Sequence, residues 1–207
     1  MKATIGILGA GKLGITLAQL ALKAGYTVLI ANSGDPKRLM LTAKILTPGA
    51  KVTPKEEVAK NADIIILALP LSKYAALPIK ELSGKLVIDA MNHWEEVDGP
   101  LADLIPAHTS TSEFIQSVIP EAHIVKGLSH MGYHELHDFA APKGSAQRKA
   151  IAFAGDTENN LSVTEFIDTI GFDPVYIGAL AKGKILEPGQ IGFGLSVSKE
   201  ILLEKLS

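Results

Sequence analysis

The 207-residue chain contains no cysteine. Disulfides, thiolate metal sites and cysteine nucleophiles are excluded, and the composition fits a reducing cytosol, the expected location. Neither sign of charge is in excess: 20 Lys and Arg stand against 22 Asp and Glu, a net charge of −2. That balance gives no electrostatic reason to expect nucleic acid or an anionic membrane as a partner. Long apolar runs are missing too; the longest, Ile64 to Leu71, is far too short to span a bilayer. No signal-peptide pattern precedes the first expected strand. Internal repeats and low-complexity segments are not found. The zinc-protease pattern H-E-x-x-H is absent, because the run reads His134-Glu135-Leu136-His137. So is the G-x-S-x-G elbow of serine hydrolases, which leaves Ser129 beside His130 as mere sequence neighbours.

What remains is a chain that is 47% hydrophobic and 20% charged. It can bury a substantial core as one domain, or as one domain with an appended lobe. Its organising stretch is Lys2 to Ser33. A strand is expected from Ala3 to Leu8, then Gly9-Ala10-Gly11-Lys12-Leu13-Gly14, then a helix to about Ala24 and a second strand over Thr27 to Ala31. Leu13, Leu17, Leu20 and Ala21 share one face of that helix at the 3.6-residue period. This is the dinucleotide-binding fingerprint in its required strand–turn–helix setting. Gly9 permits the tight turn, Gly11 lets the backbone approach a pyrophosphate, and Gly14 lets the helix lie close on the strand. The N–H groups of the helix start, at the positive end of its dipole, face the phosphates.

The tip of the second strand selects the cofactor. NAD-binding chains usually place Asp or Glu there to hold the ribose hydroxyls. Here the tip reads Ala31-Asn32-Ser33-Gly34-Asp35-Pro36-Lys37-Arg38, with no acid at the strand end. Asn32 and Ser33 can hydrogen-bond a 2′-phosphate, and Lys37 or Arg38 can supply positive charge. NADP(H) is therefore expected rather than NAD, provided Asp35 points away as an N-cap ahead of Pro36.

Further along, helices are expected over Pro36 to Leu46 and, from a Thr53-Pro54-Lys55-Glu56 capping box, over Pro54 to Lys60. The isoleucine-rich run Asp63 to Pro70 reads as a strand buried on both faces, as in a parallel sheet. Strands also fit Lys85 to Ala90 and His123 to Gly127, with a helix opening at Thr111 between them. Ligands of open α/β sheets sit beyond the carboxyl ends of the strands. Leu69, Pro70 and Leu71 are thus expected on the nicotinamide-ribose side, with Asn92, His93 and the only tryptophan, Trp94, as further cleft candidates. The loop Leu128 to His134 is expected on the substrate side. The fold class is α/β, a Rossmann-type doubly wound parallel sheet with a small C-terminal lobe. Residues 1–140 form the NADP-binding domain, and residues 141–207 form a lobe that completes the cleft or extends the same sheet.

His130, His134 and His137, with Glu135 and Asp138, raise the question of a metal site. On one helix His130 and His134 would share a face, but no second ligand group of known spacing accompanies them, and no metal is expected.

With these residues in place, the chain resembles the family of NADPH-dependent oxidoreductases that reduce the deazaflavin coenzyme F420. The resemblance runs through Ile5 to Gly14, Ala68-Leu69-Pro70, Val125 to Tyr133, Ala154-Gly155-Asp156, Gly171 to Val175 and Leu186-Glu187-Pro188-Gly189. The fold is also similar to the reductase domain of membrane metalloreductases, which pass electrons from NADPH through a flavin. The resemblance implies a homodimer in which a small-molecule acceptor, F420 or a flavin, lies against the nicotinamide. The expected activity is hydride transfer between NADP(H) and that acceptor, with His130 as the proton donor if one is needed. Two alternatives stand beside it. One is an NADP-dependent dehydrogenase or imine reductase on a small metabolite, with His93 or His130 as its acid or base and Lys126 as the only nearby cation for a substrate carboxylate. The other is a non-catalytic NADP sensor.

Overall fold

The computed structural model describes residues 2–32 and 36–207, and of Arg38 the backbone only. Eight strands among these residues form one sheet: β1 (Thr4–Leu8), β2 (Thr27–Ala31), β3 (Lys51–Val52), β4 (Ile64–Leu67), β5 (Leu86–Asp89), β6 (His123–Gly127), β7 (Ala150–Gly155) and β8 (Asp173–Tyr176). Their order across the sheet is β3-β2-β1-β4-β5-β6-β7-β8. The first six are parallel, β7 runs antiparallel to β6, and β8 is again parallel to β7. The order reverses between β1 and β4, and at such a switch point the connecting loops part to leave a crevice at the carboxyl edge.

Strand alternation decides which helix covers which face. Ile5, Ile7, Ile64, Ile66 and Ile88 point into one core layer. There they meet α1 (Lys12–Lys23) through Leu17 and Ala21. Ile65, Leu67 and Val87 point into the other layer. After α2 (Pro36–Leu46), that second layer is closed by Val58 of α3 (Lys55–Asn61) and Leu82 of α4 (Ile79–Leu82). Beyond the short α5 (Glu95–Asp98), Ile115 of α6 (Thr111–Val118) completes it. The first layer also receives Leu136 of α7 (Tyr133–Phe139) and Phe166 of α8 (Asn160–Thr169). A sheet sealed on both faces explains why β4 reads as an unbroken apolar run.

The segment after residue 141 extends the sheet, since β7 and β8 join its edge. What packs on these strands is the tail: the 3₁₀ segment Leu180–Leu186 and α9 (Lys199–Leu206) place Leu186 and Leu202 against Ala150, Ala152 and Val175. One start signal resolves differently from expectation, and the other, at Thr111, opens its helix as expected. The helix after β3 begins at Lys55 with Pro54 as its N-cap and no side-chain cap, so the capping box expected from Thr53 does not form. At α6 the box is built one residue earlier than Thr111. The Glu113 amide donates to Ser110 Oγ at 3.2 Å, and the Ser110 amide donates back to Glu113 Oε2 at 3.1 Å. The bonds from Ser110 hold the Glu113 carboxyl below its ordinary pKa.

Between the carboxyl ends of β5 and β6 lies a fully buried ion pair. Asp89 and Lys126 are register partners, both wholly inaccessible, with Nζ 3.8 Å from Oδ2. The Lys126 ammonium donates to the Met91 carbonyl at 2.6 Å, and Asp89 Oδ1 accepts from the Met91 amide at 2.9 Å. Ser112 Oγ donates to Asp89 Oδ2 at 2.5 Å. Thr111 Oγ1 accepts from Lys126 at 3.4 Å and donates to Glu187 of the tail at 2.8 Å. Gly183 makes room for this arrangement, because a Cβ there would sit 2.6 Å from Lys126 Cβ. Removing one member of such a pair strands a charge in the interior. Lys126→Met is expected to cost about 3–5 kcal/mol in urea-unfolding free energy. Removing both charges in Asp89→Asn/Lys126→Met should recover part of that loss. A single-variant loss below about 1 kcal/mol, the scale of an exposed pair, would contradict the assignment.

Candidate functional site

The fingerprint loop is built on two close approaches. Gly9 has φ +115°, and a Cβ there would lie 2.2 Å from the Ala68 carbonyl oxygen, so the turn out of β1 passes directly against the end of β4. A Cβ on Gly14 would lie 1.9 Å from the Gly9 carbonyl oxygen, so the helix is seated on the loop. Gly11 differs: a Cβ there would meet nothing within 4 Å. It is the N-cap of α1, without a side-chain cap, and no acid occupies the first turn. The amides of the first turn, which no intrahelical carbonyl can satisfy, therefore open onto space at the positive end of the helix dipole. That is a cradle for a diphosphate.

A cavity of about 590 Å³ continues from this loop. Gly9, Ala10 and Gly11 form one wall, Ala31 and Asn32 the tip of β2, and Leu69 and Pro70 the exit of β4. The far side, Pro54, Lys55, Glu56, Lys73, Leu77 and Pro78, was not foreseen from sequence. These residues follow β3 and β4, and only the strand order β3-β2-β1-β4 brings their loops to one crevice. Lys55 is already engaged, donating to the Ala76 carbonyl and lying 3.9 Å from Glu56.

The other expected site residues sort as follows. Lys12 is exposed and lies over the Tyr133 ring at 5.3 Å from its centroid. Leu13 packs its side chain against the core, so its contribution to a ligand is its amide. Leu71 does not line the cleft: it is fully buried in the second core layer, because the 3₁₀ turn Leu71–Ala76 directs it inward. Ser33 and Asp35 lie outside the described residues, as does the Arg38 side chain.

Asn92 stands just beyond β5, next to Met91, whose amide and carbonyl are both held by the buried pair. Its Nδ2 donates to the Ser129 carbonyl at 2.8 Å, which ties the end of β5 to the end of β6. Its Oδ1 and Ser129 Oγ are buried and have no hydrogen-bond partner in the protein. Such orphaned atoms are costly unless a ligand satisfies them. Asn92 Oδ1 is chemically suited to accept a carboxamide N–H. Asn92 and Ser129 do not line the 590 Å³ cavity; they stand at the exits of β5 and β6.

The loop carrying Ser129 leaves β6 through Leu128, which adopts φ 60° although it is not glycine. That left-handed turn costs about 1–2 kcal/mol and swings the chain away from β7. His130 then fills the gap it leaves. The imidazole is 0% exposed, and its Nε2 accepts the Ala152 amide of β7 at 3.0 Å. Its carbonyl accepts from the Gly194 amide at 2.7 Å, which pins the tail. The expectation of His130 as a proton donor rested on titration near neutrality. Burial instead lowers its pKa to about 4, against a smaller upward pull from Glu135, and the ring is neutral. Its position is that of a bolt between β6, β7 and the tail. Nor do the three histidines share a helix face, because α7 begins only at Tyr133. Among the described residues no group of three His, Cys, Asp or Glu is arranged to hold a metal. His93 bonds the Gly99 carbonyl at 2.7 Å. Lys126 is spent on the internal pair and is not available to a substrate carboxylate.

The reversed parallel sheet, the glycine cradle and the strand-end crevice define a Rossmann-type dinucleotide-binding protein. Residues 4–93 match the family described as NADP oxidoreductase, coenzyme F420-dependent. That match covers less than half of the chain and marks a resemblance to the family over the N-terminal strands and helices. It is 26% identical to the mouse (Mus musculus) protein Metalloreductase STEAP2 over 188 residues, 90% of this chain and 35% of that protein. It is 27% identical to the F420-dependent NADP reductase of Methanocaldococcus jannaschii, over 64% of this chain and 60% of that one. The chain thus spans about a third of the metalloreductase and less than two thirds of the archaeal reductase. A hypothetical protein of Sinorhizobium meliloti has a solved structure that superposes with a TM-score of 0.82, at 26% identity and 96% coverage of both chains.

Two outcomes test this site. Gly11→Val keeps the fold, because its side chain enters open space, but blocks the diphosphate. NADPH affinity should fall roughly a hundredfold or more, as for a steric block that forfeits the phosphate hydrogen bonds, with an unchanged melting temperature. Retained binding would refute the cradle. For His130, the folded pKa of about 4 lies below the unfolded 6.5. The unfolded chain therefore binds the proton more readily. The stabilisation is complete above pH 6.5 and is lost as pH falls toward 4, by about 3 kcal/mol in all. His130→Gln should abolish that part of the pH dependence of urea unfolding.

Proposed function

We propose that this chain transfers a hydride between NADP(H) and a flavin-like or deazaflavin acceptor. The observation that carries the reading is the contrast within the cleft. The chain offers an open glycine turn at the start of α1 for a diphosphate, and an orphaned acceptor, Asn92 Oδ1, just beyond β5. Of the groups that a dehydrogenase would use as acid, base or carboxylate anchor, His130 is buried and neutral, His93 bonds the Gly99 carbonyl at 2.7 Å, and Lys126 is ion-paired with Asp89. Transfer between two rings asks little of side chains. The bound nicotinamide supplies the hydride, and the acceptor takes two electrons with it and a proton from solvent. The protein's part is to bind, to orient and to keep water out. Asn92 and Ser129 orient the carboxamide end, Gly9 to Leu13 hold the diphosphate, and the β2 tip with Asn32 receives the adenosine half. The names of the matched relatives, a metalloreductase and an F420-dependent NADP reductase, support the same chemistry.

The deciding assay is NADPH oxidation by the purified protein against a deazaflavin, free flavins, ferric chelates, imines and keto acids, with NADH as the donor control. Turnover confined to the flavins or the deazaflavin is the expected result, with NADPH preferred. Turnover confined to imines or keto acids would replace this reading with a metabolite dehydrogenase. Tight NADPH binding without turnover would replace it with a sensor. Asn92→Ala should lower kcat/KM for NADPH roughly tenfold, the scale of one or two lost hydrogen bonds.

A further inference from the structure

Trp94 stands two residues beyond Asn92 at the carboxyl edge of the sheet. It is the chain's only tryptophan and is 46% exposed. Its indole meets Phe193 of the tail edge to face, with centroids 5.8 Å apart and planes at 69°. With that contact made, nearly half of the Trp94 surface is still open to solvent. The residue is nevertheless held firmly from behind. The Trp94 amide donates to Asp98 Oδ2 at 3.0 Å, and the Ser72 amide donates to Asp98 Oδ1 at 2.9 Å. One carboxylate thus fastens the turn bearing the indole to the segment that leaves β4. Phe193 is fixed by its neighbours: the Gly192 amide donates to the Ile185 carbonyl at 2.9 Å, and the Gly194 amide donates to the His130 carbonyl at 2.7 Å.

The pair therefore joins the exits of β4 and β5 to that of β6, on the same strand ends that carry the orphaned Asn92 Oδ1 and Ser129 Oγ. An exposed aromatic surface with an immobilised backbone, beside the strand ends to which the reading above assigns the carboxamide, supplies the apolar wall of a ligand site. A small aliphatic carbonyl or imine gains little from an indole face. A fused planar ring gains a full stacking contact.

We propose that Trp94, buttressed by Phe193, is the stacking surface for the hydride acceptor and selects a planar fused-ring acceptor over a small aliphatic one. The proposal rests on the hydride-transfer reading above and adds the residue that recognises the acceptor. Ring stacking at such a site is worth roughly ten- to a hundredfold in affinity.

The test uses the full chain saturated with NADP⁺, titrated with riboflavin, FMN and a deazaflavin. Binding is read by equilibrium dialysis in every variant, and in the wild type and Phe193→Ala also by quenching of Trp94. Trp94→Ala should raise the acceptor Kd roughly tenfold or more, Phe193→Ala less, and Trp94→Phe about threefold or less because a ring remains. The Kd for NADP⁺ should be unchanged in all three, and circular dichroism should report the same fold. In turnover the effect should fall on the acceptor KM rather than on kcat. Equal acceptor Kd in wild type and Trp94→Ala would overturn the platform, while continued turnover of that acceptor would leave the hydride-transfer reading intact. Failure of the wild type to bind or turn over any fused-ring acceptor, together with imine or keto-acid reduction, would overturn both. A change from dimer to monomer in Trp94→Ala by light scattering, with unchanged acceptor Kd, would reassign the face to contact between copies and overturn the proposal.

Discussion

The cleft depends on the ion pair buried beneath it. Asp89 and Lys126 close the carboxyl ends of two neighbouring strands, and between them they hold both backbone groups of Met91. A charge in the interior is tolerable only when its partner and its remaining hydrogen bonds are in place. That requirement reaches outward. Ser112 and Thr111 complete the pair from the first turn of α6, and Thr111 passes the constraint to Glu187 in the tail. One electrostatic need thus locks β5, β6, α6 and the C-terminal segment together. Asn92, the next residue after Met91, inherits its position from this lock. The exits of β5 and β6 are held firmly because the charge beneath them leaves little room for adjustment.

The opposite half of the cleft is organised by shape rather than by charge. Gly9 and Gly14 let β1, the loop and α1 approach to distances that a Cβ would forbid, whereas Gly11 opens outward onto the cavity. Two glycines of the fingerprint therefore serve packing and one serves the ligand. The strand order then swings the β3 and β4 loops to the same crevice, and the cavity wall is completed by residues from four separate connections. The space for a dinucleotide follows from this half.

Much of this was legible in the chain. The strand, glycine turn and helix of residues 4–23 are encoded by close neighbours, and so are the apolar period of α1 and the doubly covered β4. The expectation for Leu71 failed because a run of apolar residues does not reveal where a strand ends and a 3₁₀ turn begins to point side chains inward. Thr53 failed as a cap for a related reason: the composition of a capping box was present, but the helix started one residue later.

The sequence by itself determined the fold class, the cofactor cradle and the two core layers, because period and turn chemistry act over a few residues. Only the tertiary structure decided the fate of the polar groups. A histidine or lysine in a strand-end loop looks the same in sequence whether it faces substrate or core. His130 became a neutral bolt because Leu128 turns away from β7 and leaves the Ala152 amide to be satisfied. Lys126 became an internal countercharge because strand register sets it beside Asp89. Trp94 met Phe193 across about a hundred residues of chain. Each outcome depends on partners remote in sequence, and burial, which sets the electrostatic cost of a polar side chain, exists only once those partners are assembled.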